Sequence, residues 1–304
     1  MNKPRVILAG GSGFLGRELE RHLSANGYGV IVLTRSPDSN SESAKDVQWD
    51  GKTLGDWADH FNGAKAVVNL TGKNVSCRYT PENRREINES RVDSVRVVEQ
   101  AISKCSDPPR VLVQAASLAI YGNAGDRICD ESAPSGDGFP VETCLLWEKA
   151  FNVVQTPATR RVLLRISFVL GSGGGALGTL TKLTRFYLGG TVGNGRQYIS
   201  WIHIEDFNRM VQWTIENEKA EGIFNATGPS PVTNAEFMRE LRYALHRPWS
   251  PPTPSWAVHI GSWLMGTEAC LALTGRRGIP KRFVENGFDF KYSGLKEALQ
   301  NLMT

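Results

Sequence analysis

GGSGFLG, from Gly10 to Gly16, lies between a predicted strand and a predicted helix. A β-branched and leucine-rich run at 5–9 precedes it, and the apolar residues of 14–26 follow helical spacing. In this context G-x-x-G-x-x-G is the fingerprint of a dinucleotide-binding loop. Glycine lets the backbone approach a pyrophosphate, and the helix N-terminus offers unpaired N–H groups to the anion. The alternative, a glycine-rich turn that serves packing alone, is less favoured at the first strand-to-helix turn.

Strand and helix patterns alternate along the chain after this loop. Further strands are predicted at 30–33, 47–49, 66–70, 111–115 and 162–166. Helices are predicted at 53–61, at 141–154, and from the N-cap Thr80 and Pro81 to about Lys104. This alternation predicts the α/β class, as an NAD(P)-binding Rossmann fold with a doubly wound parallel sheet and a smaller mixed C-terminal substrate region.

The composition changes after Gly171, because five of the eight residues from Gly171 to Gly178 are glycine. We interpret this run as a flexible crossing into a second region. That region has predicted helices at 205–217 and 256–273, a strand at 223–226, and a capping box from Thr233 to Glu236. The predicted domains are therefore 1–170, which binds the dinucleotide, and 171–304, which binds the substrate and returns in part to the Rossmann sheet.

Bulk properties exclude several classes of protein. The 304 residues are 40% hydrophobic and 22% charged, with a net charge of +4, so we expect no nucleic-acid surface, although an anionic small ligand would be compatible. No segment approaches the roughly 20 apolar residues of a membrane span, and the N-terminus lacks a signal peptide's apolar region. Five cysteines without C-x-x-C spacing predict reduced thiols in a cytoplasmic protein. The five histidines lack metal-ligand spacing, so no metal site is expected.

The end of the second strand predicts which cofactor binds. An NAD enzyme usually places an acid there to accept from the ribose 2′-hydroxyl. This chain has Thr34, Arg35 and Ser36, with no acid before Asp38. Arginine can pair with a 2′-phosphate, and the hydroxyls can add donors. The sequence therefore favours NADP(H), the alternative being that Arg35 is a solvated loop residue.

Other motifs resemble a known family. They are 68–74 (VNLTGKN), 90–91, 165–171, 173–177, 195–197, 200–206 (SWIHIED) and 224–227. Together with the glycine spacing, they resemble the atypical extended short-chain dehydrogenase/reductases labelled SDR39U1-like epimerase-family proteins, within the NAD-dependent epimerase/dehydratase superfamily. The resemblance runs almost end to end, and 201–206 is its most specific piece. The segment from Pro251 resembles the small domain that closes this group, which implies an extra C-terminal domain at about 250–304.

The resemblance also shows a departure from the family's acid-base machinery. Typical members have a serine after the fifth strand and a Tyr-x-x-x-Lys pair later, whose lysine lets the tyrosine transfer protons near pH 7. Ser117 matches the serine. Aligning on Trp147 puts Pro140 near the tyrosine position and Cys144 near the lysine position. The Tyr-x-x-x-Lys at 292–296 is in the wrong order and region, and we interpret it as chance.

Any chemistry would therefore need another proton donor. Ser117 and Tyr121, at the carboxyl edge of the sheet, are the catalytic candidates. His203, Glu142 and Cys144 are weaker candidates, since a histidine between two isoleucines usually packs and a lone cysteine is usually a small buried hydrophobe.

Cofactor contacts are predicted along the same edge, and the resemblance adds two residues of the long helix, for which surface charge is the alternative. The predicted set is Gly10, Gly13, Phe14, Leu15, Gly16, Thr34, Arg35, Ser36, Leu70, Thr71, Gly72, Glu86, Arg91, Ala116 and Val169. Three arginines could hold an anionic substrate or could be solvated surface charges: Arg78, Arg185 and Arg196.

Two functions stay open at this point. One is an NADP(H)-dependent oxidoreductase or nucleoside-diphosphate-sugar epimerase-like enzyme with an unusual proton donor and an unknown small-molecule substrate. The other is a non-catalytic NADP(H)-binding sensor or regulator. Extended relatives often dimerise through helices corresponding to 80–104 and 141–154, which implies a homodimer.

Overall fold

A seven-stranded parallel sheet organises the chain. The structure, a computed structural model, describes residues 3–37, 44–153, 156–172 and 174–303. The strands are β1 (Arg5–Ala9), β2 (Gly29–Thr34), β3 (Lys45–Gln48), β4 (Ala66–Asn69), β5 (Val111–Ser117), β6 (Ile128–Cys129), β7 (Arg160–Ile166), β8 (Phe168–Leu170), β9 (Tyr198–Ile199), β10 (Trp201–His203), β11 (Gly222–Ala226), β12 (Val232–Thr233) and β13 (Arg277–Gly278). The α-helices are α1 (Phe14–Ala25), α2 (Pro81–Ser103), α3 (Phe139–Val153), α4 (Gly175–Arg185), α5 (Ile204–Glu216), α6 (Asn234–Ala244), α7 (Ser255–Leu264), α8 (Cys270–Leu273), α9 (Lys281–Glu285) and α10 (Leu295–Met303).

The strand order of the sheet is β3-β2-β1-β4-β5-β7-β11, and every neighbouring pair is parallel. Its central strands are apolar on both faces, as expected where helices cover both sides; Val6 to Ala9, for example, have no exposed area. The predicted Rossmann fold is confirmed. The seventh strand, β11, comes from the second region and pairs with β7.

Separate apolar cores cover the two faces of the sheet. On one face, Leu19 of α1 and Phe207 of α5 pack against the strands. On the other face, Val98 of α2 and Trp147 of α3 do so. The sheet therefore presents its carboxyl edge between two helical layers, where a doubly wound fold binds its ligand.

The helix caps follow the sequence signals. Thr80 accepts a hydrogen bond from the backbone N–H of Asn83 at 3.2 Å, and Thr233 accepts one from Glu236 at 3.3 Å. Both predicted helix starts are confirmed. The predicted helix end at Val154 lies outside the described residues.

The glycine run after β8 is not a loose crossing. A Cβ on Gly171 would lie 2.6 Å from the ring of Phe14, and one on Gly174 would lie 3.3 Å from it. These positions are glycine because the backbone packs directly on Phe14, and α4 begins at Gly175. The predicted flexible crossing was therefore wrong for the described part of the run, which excludes Gly173.

Two predicted helices differ from those observed. The apolar stretch 256–273 is divided into α7 and α8, because Gly266 has φ +66° and ends the first helix as a left-handed cap. The segment predicted as a helix at 53–61 forms a 3-10 helix at Asp56–Phe61. Polar side chains compete with the helix there, since Asp50 accepts from the N–H groups of Lys52 and Thr53.

The C-terminal segment is attached to the sheet by backbone pairing. β13 pairs in parallel with β6, joining Arg277 to Ile128. α6 and α10 pack together in a third core that includes Leu241 and Leu299. Among the described residues, no helix has the length and apolar character needed to cross a membrane.

Candidate functional site

The carboxyl ends of the central strands meet at one edge of the sheet. The loop after β1 carries the glycine motif, the loop after β4 carries Leu70 to Gly72, and β5 ends at Ser117. Because these strands are parallel neighbours, the three loops lie side by side.

The glycine loop leaves no room for side chains. Gly10 has φ +72°, and a Cβ there would lie 2.9 Å from Cα of Thr71. A Cβ on Gly11 would lie 2.9 Å from Val32, and one on Gly16 would collide with the backbone oxygen of Gly11. The loop therefore needs glycine at these positions to let α1 approach β1 and β4 closely.

The N-terminus of α1 is open to an anion. Its N-cap is Gly13, which has no capping side chain, and its first turn contains no acid. The first-turn N–H groups of Phe14, Leu15 and Gly16 are therefore without a side-chain cap. The hydroxyl of Thr71 is buried and has no hydrogen-bond partner among the described residues. A dinucleotide pyrophosphate binds where N–H donors are free, where a helix dipole is positive and where no side chain blocks the approach. The glycine loop and the N-terminus of α1 have these three features, so the residues present fit such a cofactor.

The end of β2 carries one exposed cation. Thr34 is buried and its hydroxyl accepts from the N–H of Ser36 at 3.3 Å. Arg35 and Ser36 are exposed, and Arg35 has no ion-pair partner within the described residues. Asp38 lies outside them.

Asn69 shapes the loop after β4, and the sequence did not predict this role. Its Oδ1 accepts from the N–H of Thr71 at 3.1 Å, and its Nδ2 donates to Gln114 at 3.0 Å. The signal available in the sequence was an amide at the end of an apolar strand. Leu70 continues the strand by donating its N–H to Ala9 at 2.9 Å.

Arg91 and Glu86 of α2 occupy different environments. Arg91 is buried, stacks 4.9 Å from the ring centre of Trp147, and lies so close to Gly72 that a Cβ there would be 3.1 Å from its guanidinium carbon. Burial lowers the pKa of Arg91. Glu86 is exposed and pairs with Lys73, which holds the pKa of Glu86 below its usual value. The structure thus brings Arg91 against the loop after β4, whereas the Glu86 carboxylate engages Lys73.

Ser117, Ala116 and Val169 lie near the end of β5 and on β8. Ser117 is partly exposed, and its hydroxyl accepts from the N–H of Ala119 at 3.1 Å. Ala116 is buried in β5, and Val169 is buried in β8 opposite Ile202. Of the two catalytic candidates, Ser117 keeps a side chain accessible at this edge.

Tyr121, the second catalytic candidate, has no exposed area, and its catalytic role stays a prediction. Its hydroxyl lies 2.8 Å from Oδ1 of Asn225 and from the backbone oxygen of Asp130, and it accepts from Arg165 at 2.9 Å. Arg165 in turn makes a bidentate pair with Glu148, at 2.8 and 2.9 Å. Burial raises the pKa of Tyr121, against the influence of Arg165. The hydroxyl of Tyr121 thus links β7 with β11, and Arg165 extends this link to Glu148 of α3.

In typical relatives the helix that corresponds to α3 carries the acid-base pair, whereas α3 of this chain carries no Tyr-x-x-x-Lys pair. Cys144 of α3 is buried, and burial raises the pKa of its thiol to about 12. His203 is buried as the N-cap of α5, where its Nδ1 accepts from Glu205 at 3.1 Å. Its ring stacks 3.8 Å from that of Tyr292. These contacts give His203 and Tyr292 packing roles.

The three arginines considered for an anionic substrate lie in different surroundings. Arg78 donates to the backbone oxygen of Trp263 at 2.8 Å, and Arg185 and Arg196 are exposed. Among the described residues, no group of three His, Cys, Asp or Glu side chains could hold a metal ion.

Comparisons with known proteins show the family to which the chain belongs. A sequence model described as the NAD dependent epimerase/dehydratase family matches residues 6–227, more than half of the chain. The chain belongs to this family. A second model, described as a domain of unknown function (DUF1731), matches residues 253–302.

Relatives of this family member match along its whole length. The Arabidopsis thaliana chloroplastic homologue of epimerase family protein SDR39U1 is 34% identical over 303 residues, covering 98% of this chain and 86% of the relative. Human SDR39U1 is 32% identical over 304 residues, covering 98% and 99%. The crystal structure of human SDR39U1 (isoform 2) with NADPH has a TM-score of 0.88 at 31% identity, covering 98% of this chain and 99% of that one. Family membership and this neighbour support a nicotinamide cofactor.

Proposed function

We propose that this chain is an NADP(H)-binding, atypical short-chain dehydrogenase/reductase that acts as an epimerase-like oxidoreductase. The observation that carries the proposal is the uncapped N-terminus of α1 above the glycine loop, with the exposed Arg35 at the end of β2. The structure of human SDR39U1 with NADPH supports the choice of NADP(H).

The proposed cofactor contacts divide by position. The first turn of α1 with Gly10 and Gly13 would hold the pyrophosphate, and Thr34, Arg35 and Ser36 would hold the 2′-phosphate. The remaining proposed contacts are Leu70, Thr71, Gly72, Glu86, Arg91, Ala116 and Val169. When bound, the nicotinamide supplies hydride transfer.

Ser117 is the residue that we propose to orient the reacting oxygen of the substrate. Its hydroxyl is accessible at the end of β5 and already accepts one N–H, which leaves its proton free to donate. Tyr121 would act at a distance, by holding Arg165 and β11 in place.

A non-catalytic NADP(H) sensor is the second candidate, favoured by Pro140 and Cys144 at the positions of the usual pair. A screen of carbonyl and alcohol substrates with NADPH or NADP⁺, read at 340 nm, distinguishes the two. Turnover that is lost in Ser117→Ala but kept in Ser106→Ala supports the enzyme. NADPH binding without turnover across the screen contradicts it and supports the sensor.

The remaining proposals concern organisation. Residues 1–170 would bind the dinucleotide and 171–304 the substrate, with the extra domain at about 250–304.

A homodimer through α2 and α3 is supported by Leu145 and Leu146, which are 45% exposed on α3. Light scattering tests the homodimer, and a monomeric mass would exclude it.

Each of the five cysteines is a free thiol, which supports a reducing compartment such as the cytoplasm.

A further inference from the structure

Arg91 lies where α2, α3 and the loop after β4 meet. It is 9% exposed, and its guanidinium carbon lies 4.9 Å from the ring centre of Trp147 on α3. The guanidinium also lies against Gly72, where a Cβ would be 3.1 Å from the guanidinium carbon and 3.2 Å from Nη2. The cation is therefore held between the cofactor loop on one side and an aromatic ring of α3 on the other.

Hydrogen bonds tie these three elements together. The N–H of Lys73 donates to the hydroxyl of Ser90 at 2.9 Å, which joins the loop after β4 to α2. The hydroxyl of Thr143 donates to Oδ1 of Asn88 at 2.8 Å, which joins α3 to α2. Because Asn88 and Ser90 precede Arg91 within one turn of α2, these bonds fix the backbone from which its side chain leaves.

The charge of Arg91 has no carboxylate partner within the described residues. Its one hydrogen bond there runs from Nη1 to the backbone oxygen of Ile87 at 2.9 Å. A similar stack on α3 differs in this respect, because Arg161 lies 4.1 Å from the ring centre of Phe151 and also pairs with Glu99. Arginine stays protonated in proteins, so Arg91 is a permanent cation that its described surroundings do not neutralise.

Part of the Arg91 guanidinium is available to a ligand. Nε and Nη2 have no hydrogen-bond partner within the described residues, and neither atom is sealed from solvent. Nη2 is one of the atoms next to Gly72. A ligand that covers the loop after β4 would therefore meet an enclosed cation with N–H donors to spare.

The strand order indicates which half of a dinucleotide would cover that loop. The proposed 2′-phosphate contacts lie at the end of β2 and the glycine loop follows β1, in the order β2-β1-β4-β5. A dinucleotide that crosses the carboxyl edge in this direction has its nicotinamide half over β4 and β5. Arg91 lies between the loop after β4 and α3, which follows β5 in the chain. It is therefore on the nicotinamide side.

We propose that Arg91 supplies the fixed cation that the lysine of the Tyr-x-x-x-Lys pair supplies in typical relatives, and that this charge makes the chain distinguish NADPH from NADP⁺. Cys144, near the lysine position, precedes Trp147 by three residues on α3, a spacing that places two residues side by side on a helix. Arg91, which packs on Trp147, thus brings a cation back to the helix that has lost one.

The preference follows from the charge of the nicotinamide ring. The ring is positive in NADP⁺ and neutral in NADPH, so a fixed cation beside it disfavours the oxidised form. The inference rests on the proposed function, because it concerns regulation at the same cofactor site. The ratio of the two nucleotides would then set how much of the protein is occupied by each.

Paired titrations of the full chain with NADPH and with NADP⁺ test the proposal. Isothermal titration calorimetry gives both dissociation constants in the same buffer and salt. NADPH should bind the unmodified protein at least ~10-fold more tightly than NADP⁺. Arg91→Gln removes the charge and keeps a donor for Ile87, and it should lower that ratio of affinities at least ~5-fold. Arg91→Lys keeps the charge and should keep most of the ratio.

Arg161→Met is the matched control, because Arg161 also stacks on a ring of α3 but lies at the start of β7, at the opposite edge of the sheet. This variant should melt at a lower temperature, since it loses the pair with Glu99, and should keep the ratio of affinities. If Arg91 served packing alone, Arg91→Gln would behave in the same way.

Two results overturn the proposal. One is equal affinity of the unmodified protein for NADPH and NADP⁺, which needs no variant. The other is an unchanged ratio of affinities in Arg91→Gln. Failure of both nucleotides to bind would refute the proposed function itself, whereas tight binding of both with a ratio near one refutes this inference alone.

Discussion

Replacing Tyr121 by phenylalanine tests whether this residue is structural. The variant removes one hydroxyl and leaves a donor of Arg165 and an acceptor on Asn225 or Asp130 without a partner. Two buried groups without partners cost about 2–3 kcal/mol, since one of them is charged. An unfolding entropy of roughly 2.1 cal/mol/K per residue makes this a fall of about 3–5 °C in the midpoint for a chain of this length.

The assay combines circular-dichroism melting with NADPH titration. Tyr121→Phe should melt lower and bind NADPH with unchanged affinity. Tyr243→Phe is the control, because Tyr243 is 58% exposed and its loss should change stability by less than about 0.5 kcal/mol. An unchanged melting temperature together with lost turnover would mean that the hydroxyl reaches the substrate, and would refute the structural role.

Three further predictions follow from buried contacts. Gly16→Ala should abolish NADPH binding or folding, because its Cβ would collide with Gly11; titration and melting curves measure both, and wild-type behaviour would contradict the close approach. Burial, against the influence of Arg161, raises the pKa of Glu99 to about 7. The stability that protonated Glu99 contributes is therefore fully present below its usual pKa of 4.5 and is lost as the pH rises through 7. Urea unfolding over that range should show Glu99→Gln gaining stability relative to wild type. A difference in unfolding free energy that stays constant with pH would exclude this explanation. Cys144 should react with a thiol reagent at pH 8 only after unfolding, since its pKa is about 12; mass spectrometry of the native protein showing rapid labelling would disprove its burial.

The local features of the first half could be predicted from the sequence. Glycine spacing, apolar periodicity and the Thr80 cap are signals within a few residues of each other, and the structure confirms the elements they predicted. The helices predicted at 256–273 and 53–61 were wrong because of turn residues. The left-handed Gly266 breaks the apolar stretch after α7, and the Asp50 side chain competes with a regular helix near Thr53.

Long-range contacts explain what the sequence could not show. Tyr121 follows Ser117 closely in the sequence, but its hydroxyl is bonded inside the protein to Asn225 and Arg165, both distant in the chain. The glycines near Gly174 were misread because nothing in the sequence places them against Phe14.

The preference between NADPH and NADH tests the proposed role of Arg35. The full chain is titrated with NADPH and with NADH by energy transfer from tryptophan to the nicotinamide, alongside Arg35→Ala and the control Arg21→Ala, whose arginine is exposed on α1. We predict that NADPH binds at least ~10-fold more tightly than NADH, and that Arg35→Ala alone removes this preference by weakening NADPH binding. Equal affinity for the two nucleotides, or an unchanged preference in Arg35→Ala, would contradict the account.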